Sequence, residues 1–145
     1  MQGYNCIAVV DKEGRSWLMC RRRKDPYKGL LNLVGGKIEP GEDRDKAAYR
    51  ELFEETGLTA EDISLTRFLT FDYPCDGCYV DIYGGQPKND IKVSGDENEL
   101  LWVGLNEDFF DMKHYAGEGN IGHILEILKL HPEIAVIEGV SYDKI

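Results

Sequence analysis

Apolar positions cluster in short runs at residues 4–10, 16–20 and 30–34, with the polar turn Asp11-Lys12-Glu13-Gly14 between the first two. Runs this short, bounded by turn residues, read as strands. Residues 63–73 and 79–83 read as two further strands joined by Asp76-Gly77, a strong two-residue hairpin signal. Residues 100–105 read as another strand, and residues 134–140 as a closing β-rich run. Helical spacing appears twice. Ala48, Tyr49, Leu52, Phe53 and Thr56 share one face of a helix that ends at Gly57, a residue that tolerates the left-handed conformation past a helix terminus. Ile121, Ile124, Leu125 and Leu128 repeat at helical spacing between Asn120, placed to cap the helix, and Pro132. Strands interleaved with two helices indicate a layered α/β domain, and the absence of repeats and linkers makes residues 1–145 one domain.

The first helix has an unusual second face. Glu51, Glu54 and Glu55 lie at i, i+3 and i+4, within an arc of about 100° of its surface. Like charges this close raise one another's pKa unless something cationic sits among them. Hard divalent cations take oxygen ligands in such an arrangement, and Mg²⁺ bridges carboxylates to substrate phosphates. Ala47, one turn before Glu51, is expected to leave room for a ligand, and Arg50 to orient Glu51 or pair with Glu54. A turn with glycines at 35, 36 and 41 and a proline at 40 leads into the helix. Upstream, Arg21-Arg22-Arg23-Lys24 reads as solvated surface or as a strip reaching a polyphosphate.

Gly36, Glu42, Arg50, Glu51, Leu52, Glu54, Glu55, Gly57 and Leu58 fill every specified position of Gly-x5-Glu-x7-Arg-Glu-(apolar)-x-Glu-Glu-x-Gly-(apolar). The stretch therefore resembles the signature of the Nudix hydrolases. The resemblance implies an α/β/α sandwich with a central mixed sheet, and metal-dependent attack of water on a phosphoanhydride in a nucleotide substrate, with Mg²⁺ as cofactor and Mn²⁺ as its substitute. Carried over, Glu51, Glu54 and Glu55 are metal ligands with the Gly35 carbonyl, Glu42 bonds within the box or serves a second metal through water, and Arg50 orients Glu51. The base is a box glutamate or a residue outside it. MutT-like enzymes carry an acidic residue ahead of a tryptophan-bearing strand, which matches Glu97, a metal-ligand and base candidate five residues before Trp102. The segment 28–37 resembles the branch of MutT-like enzymes that remove oxidised purine nucleoside triphosphates such as 8-oxo-dGTP. There Asn32 would read the base, with Arg22, Lys37, Glu118 and Asn120 as further substrate contacts. Pro74 and Tyr73 leave ADP-ribose and dinucleoside polyphosphates as alternative substrates. A nucleotide-sensing, non-cleaving module is the alternative outside enzymology, and the full set of box glutamates argues against it.

Composition narrows the picture further. At 145 residues and 42% hydrophobic content the chain can bury a real core. No apolar run approaches the ~20 residues of a membrane span, and residues 1–4 do not resemble a secretory signal, so a cytoplasmic location is expected. A formal net charge of −10 disfavours polymeric nucleic acid but not a nucleotide arriving with magnesium. The protein is expected to be a monomer or homodimer. Cys75 and Cys78 have metal-like spacing, but Cys6 and Cys20 offer no second pair, so free thiols facing each other across the Asp76-Gly77 hairpin are expected.

Overall fold

The computed structural model describes residues 1–142. Six strands and two α-helices follow in the order β1 (Gln2–Val9), β2 (Ser16–Arg21), β3 (Leu31–Asn32), α1 (Arg44–Thr56), β4 (Thr66–Tyr73), β5 (Cys78–Gly85), β6 (Glu99–Gly104) and α2 (Asn120–Leu128). The strands form two three-stranded sheets. In the mixed sheet β5 is central, parallel to β1 and antiparallel to β4. The other is antiparallel, with β2 between β3 and β6. A bridge between Val10 and Trp17 links β1 to β2, and a bridge between Ile7 and Val34 brings the chain after β3 back to β1.

Alternation along the strands divides the core in two. Ile7, Val9, Leu18 and Tyr83 point to one side, where Ala48 and Leu52 of α1 pack against them. Ala8, Trp17, Met19 and Ile82 point to the other, under Ile121, Ile124, Leu125 and Leu128 of α2. At roughly 1.5–3 kcal/mol per fully buried large aliphatic side chain, these contacts rather than helix propensity hold the helices in place. The result is an α/β/α sandwich. Gly84 lacks a side chain where Leu128 of α2 presses closest, at 2.8 Å from where a Cβ would stand.

Several details depart from the sequence pattern. The chain from 134 to 140 forms turns, with Ala135 and Ile137 buried beneath α2 and Gly139 at a positive φ of 85°. Its apolar content serves packing without a strand to pair with. Residues 63–65 precede β4, and Ile63 buries itself in the α1-side core from a loop. Ala47 is wholly buried, so it is part of the packing face and leaves no room for a ligand, whereas Phe53 is 56% exposed. Gly119, with φ 91°, takes the N-cap of α2, and Asn120 is its first helical residue. The β4–β5 connection is longer than two residues: Pro74–Asp76 forms a 3₁₀ turn closed by Gly77, and Cys78 pairs with Tyr73. Cys75 therefore sits on the turn and does not face Cys78.

The N-terminus of α1 is anchored to β5. The Asp43 side chain caps it by accepting from Lys46 N at 3.0 Å. Tyr83 Oη donates to Asp45 Oδ1 at 2.7 Å. Arg44 donates through Nε at 2.7 Å and through Nη2 to the two oxygens of Asp81, which also accepts from Thr70 Oγ1 at 2.8 Å. Asp81 is fully buried. Burial alone would raise its pKa, but the bonds from Arg44 and Thr70 and the attraction of Arg44 and Arg67 outweigh it and hold the carboxyl below 3.8. Its ionised form thus adds stability that is complete above the unfolded pKa and lost as pH falls through the lower folded value. We expect Asp81→Asn to reduce the unfolding free energy at pH 7 by about 2 kcal/mol, because Arg44 loses its buried partner. In urea titrations the gap between variant and wild type should shrink below about pH 4. A gap of equal size at both pH values would mean that the charge of the pair is not its source.

Candidate active site

The site grows from the glycine turn. Asn5 of β1 holds it on both sides: its N–H donates to Gly36 O at 2.8 Å, and its Oδ1 accepts from Gly36 N at 3.0 Å. Gly35 has φ 148°, and a Cβ there would strike the Asn5 carbonyl; a Cβ at Gly36 would strike the Glu51 carboxylate. Gly35 is therefore required by its positive φ and its close approach to the β1 backbone, whereas a side chain at Gly36 would have to displace the Glu51 carboxylate. Glu55 closes the arrangement, its Oε2 accepting from Gly35 N at 2.5 Å. Asn5 was not singled out in the sequence, though a polar residue inside an apolar strand run was the available signal. Its Nδ2 is buried without a partner.

Arg50 organises the carboxylates. Nε and Nη2 donate to the two oxygens of Glu42 at 2.7 and 2.9 Å, and Nη2 also reaches Lys37 O at 2.9 Å. Nη1 donates to Glu51 Oε1 at 3.0 Å and to Glu54 Oε2 at 3.2 Å. The bonds from Arg50 and from the Glu39 backbone hold the Glu42 carboxyl down to about 2. Glu51 and Glu55 shift the other way. Burial raises Glu51 above its usual value, against the pull of Arg50, with repulsion from Glu54 and Glu97 adding to it. Burial pushes Glu55 up to about 7, opposed by the Gly35 bond and reinforced by Glu51 and Glu97.

Two adjoining cavities share Arg22, Gly35, Gly36 and Glu55. The polar one, of about 600 Å³, is lined by Glu51, Glu55 and Glu97 on one hand and Arg22, Arg23 and Lys24 on the other. Its loop is placed by α1 and by the basic segment: Ser94 N donates to Thr56 O at 3.0 Å, Arg23 N to Asn98 Oδ1 at 3.3 Å, and Arg23 Nη1 to Asp96 O at 3.3 Å. Glu99 turns away to accept from Arg21 Nε at 3.1 Å. The second cavity, of about 300 Å³, is mostly apolar and aromatic, with Tyr4, Tyr27, Phe71 and Tyr73 in its wall. Asn32 and Asn120 add amides to that wall. The Asn32 Oδ1 accepts from Leu33 N at 2.8 Å, and Asn120 Nδ2 donates to Tyr73 Oη at 2.9 Å.

The sequence candidates thus separate. Gly35, Glu51, Glu55, Glu97 and Arg22 meet at the polar cavity, and Asn32 and Asn120 at the apolar one. Four others, Arg50 among them, lie outside both linings. Glu54 is exposed and bonded to Arg50, Lys37 is exposed and bridged to Tyr4, and Glu118 accepts from Tyr27 Oη at 2.7 Å. Cys6 and Cys20, unremarked as site residues, also line the apolar cavity, and burial pushes both thiols up to about 12. Among the described residues no three acidic, imidazole or thiol side chains converge closely enough to hold an ion as they stand. The donor chemistry nevertheless fits a hard divalent cation. The donors are all oxygen, and two mutually repelling carboxylates, Glu51 and Glu55, are held beside Glu97 with raised pKa.

A NUDIX domain model matches residues 2–115. An 8-oxo-dGTP diphosphatase of Escherichia coli is 32% identical over 110 residues, covering 72% of this chain and 84% of that protein. The NAD-capped RNA hydrolase NPY1 of Saccharomyces cerevisiae is 32% identical over 94 residues, which are 61% of this chain but only 24% of that protein. Among solved structures, a MutT from a study of the Aliivibrio salmonicida and Vibrio cholerae proteins superposes with a TM-score of 0.67 at 22% identity, covering 89% of this chain and 98% of that one. An Ap4A hydrolase of C. elegans gives a TM-score of 0.70 at 22% identity over 90% of this chain and 98% of its own, a likeness of fold alone. With the family match spanning residues 2–115 and Gly36, Glu51 and Glu55 of the box lining the polar cavity, the chain belongs to the NUDIX domain family as a MutT-like Nudix hydrolase, an enzyme acting on acid anhydrides.

Proposed function

We propose that this enzyme hydrolyses a purine nucleoside triphosphate of the 8-oxo-dGTP type to the monophosphate and pyrophosphate, with Mg²⁺ as its metal and Mn²⁺ as a substitute. Residues 1–145 would act as a single Nudix domain in the cytoplasm, as a monomer or homodimer. Among the described residues no helix is long and apolar enough to cross a membrane. The observation that carries the reading is the pair of adjoining cavities. An aromatic pocket with three asparagine amides, those of Asn5, Asn32 and Asn120, adjoins at the glycine turn a trough lined by carboxylates and cations. A nucleoside and its polyphosphate differ in polarity in the same way. The 8-oxo-dGTP diphosphatase of E. coli, which this chain resembles over most of both lengths, points to the same class of substrate.

Each group then has a task. Glu51, Glu55, Glu97 and the Gly35 carbonyl would hold the ion, with Glu54 at the rim on the same helix. Bound there, the ion would polarise the phosphoanhydride and lower the pKa of a bound water. Arg22, Arg23 and Lys24 offset the charge of the phosphates. Arg50 is a positioning residue: its bonds to Glu42, Glu51 and the Lys37 carbonyl fix the turn and helix relative to each other. Glu97 is our choice for the base that takes the proton of the attacking water, because it is the one trough glutamate outside the box helix. Among the described residues the Asn32 amide is engaged through its oxygen alone, by Leu33 N, so its N–H groups would serve the base.

Purified protein should be screened with Mg²⁺ against nucleoside triphosphates, oxidised purine nucleotides, ADP-ribose and dinucleoside polyphosphates. A preference for ADP-ribose or a dinucleoside polyphosphate would displace the triphosphate reading, and binding without turnover would favour a sensing module. Three substitutions refine the test. Glu55→Gln should reduce kcat at least ~10²-fold with the fold intact. Glu97→Gln should lower kcat with little change in KM, and Glu99→Gln, whose parent is engaged by Arg21, should be almost silent. Equal behaviour of the last two would place the loop in the wrong register. Asn32→Ala should reduce kcat/KM for the preferred purine nucleotide about 10- to 100-fold and leave poor pyrimidine substrates almost unchanged. A uniform loss would instead make Asn32 a shaper of the turn.

A further inference from the structure

Among the described residues only two non-glycine residues have positive φ, Tyr27 at 68° and Glu118 at 51°. They lie 91 positions apart and are bonded to each other. Tyr27 Oη reaches both carboxylate oxygens of Glu118 at 2.7 Å. An L-residue in this conformation is costly, and it persists where surrounding contacts over-determine it. Here one contact has such a residue at each end. The loops that carry them are fastened at their bases. Arg22 N donates to Leu30 O at 2.9 Å and Gly29 N to Arg22 O at 2.8 Å, closing the first. Leu31 N donates to His114 O and Ala116 N to Leu31 O, each at 2.9 Å, tying the second to β3. Glycines at 117 and 119, with φ 86° and 91°, flank Glu118 and let its segment turn toward Tyr27.

The position of the contact gives it meaning. Tyr27 and Gly117 belong to the wall of the aromatic cavity, while Glu118 does not line it. The hydrogen bond is exposed and contributes little stability by itself, so its effect lies in direction. A hydroxyl held at both carboxylate oxygens does fix the direction of the ring. The bond to Glu118, burial and the carboxylate charge push the Tyr27 hydroxyl up to about 12, so it remains a donor at any working pH.

We propose that Glu118 and Tyr27 form a clasp in which Glu118 sets the Tyr27 ring as a wall of the nucleoside cavity, so that Glu118 governs base selection through Tyr27 and not by touching the base. This rests on the nucleotide reading above. A fixed aromatic face favours the larger purine ring over a pyrimidine through contact area, and loosening it raises KM without altering kcat, since the trough glutamates are untouched.

The test is calorimetric titration of wild type, Tyr27→Phe, Glu118→Ala, Glu118→Gln and the double variant Tyr27→Phe/Glu118→Ala with GMP and CMP, after thermal melts show equal folding. Tyr27→Phe and Glu118→Ala should each weaken GMP about three- to ten-fold and CMP less. The double variant should be no worse than either single one, because both act through one bond. Glu118→Gln keeps an acceptor and should recover most of the affinity. In steady-state assays the losses should fall on KM. If wild type binds GMP and the two single effects add, or Tyr27→Phe is silent while Glu118→Ala alters base preference, Glu118 meets the base itself and the clasp is overturned. Loss confined to kcat would overturn it equally. If wild type binds neither nucleotide and hydrolyses none in the substrate screen, the nucleotide reading fails and the clasp with it.

Discussion

The site depends on one close approach, that of the Gly35-Gly36 backbone to β1 on one side and to α1 on the other. No side chain fits at Gly35, because the Asn5 carbonyl occupies the place where its Cβ would stand, and one at Gly36 would push the Glu51 carboxylate aside. This contact lets a backbone N–H meet the Glu55 carboxylate directly and brings the turn between the two cavities. Everything else secures the two partners. The mixed sheet holds Asn5 through eight paired positions between β1 and β5, and the Arg44–Asp81 and Tyr83–Asp45 bonds hold the start of the helix to that same β5. A shift of the helix along the sheet would break the buried Asp81 pairing before it displaced a glutamate.

Arg50 solves a related electrostatic problem. Four carboxylates are gathered at one end of an acidic protein, and one guanidinium touches three of them. Its bidentate bond goes to Glu42, which becomes a fixed anion, while Glu51 and Glu54 share a single Nη1. Glu55 receives no cation and depends on one backbone N–H, so burial and its neighbours raise it furthest. Among the described residues Glu42 is thus fully paired with a guanidinium, while Glu55 at the trough is bonded to a backbone N–H and to no guanidinium. That is the condition under which a divalent ion adds stabilisation instead of competing with an arginine.

Much of this was legible in the chain, and the reason differs between parts. The box helix, its cap at Gly57 and the turn glycines could be read because each depends on neighbours in sequence. Glu97 could be placed by counting back from Trp102, and the structure puts it on the trough with Glu99 turned to Arg21. What could not be read depends on distant partners. Glu118 looked like a base contact because nothing nearby reveals that Tyr27 claims it. Residues 134–140 have strand composition but fold as turns, because burial under α2 satisfies the same apolar residues. Asn5 was passed over since its task exists only once the glycine turn lies against β1.

The same distinction bears on where specificity resides in this enzyme. The chemistry of the trough is written into one contiguous stretch, 35–58, with a single contribution from Glu97. The aromatic cavity is assembled from β1, β2, the loop after it, β3, β4, β5 and the start of α2. Part of its wall, at residues 116, 117, 120, 121 and 124, lies beyond residue 115, where the match to the family model ends. A local motif can stay intact while such a wall is rebuilt residue by residue, because among the described residues the wall and the trough share only Arg22, Gly35, Gly36 and Glu55. The turn, with Arg22 and Glu55 beside it, is thus where the two cavities meet. On the proposed reading a change there would alter both chemistry and recognition, whereas a change at Tyr27, Asn120 or Tyr73 would act on recognition alone.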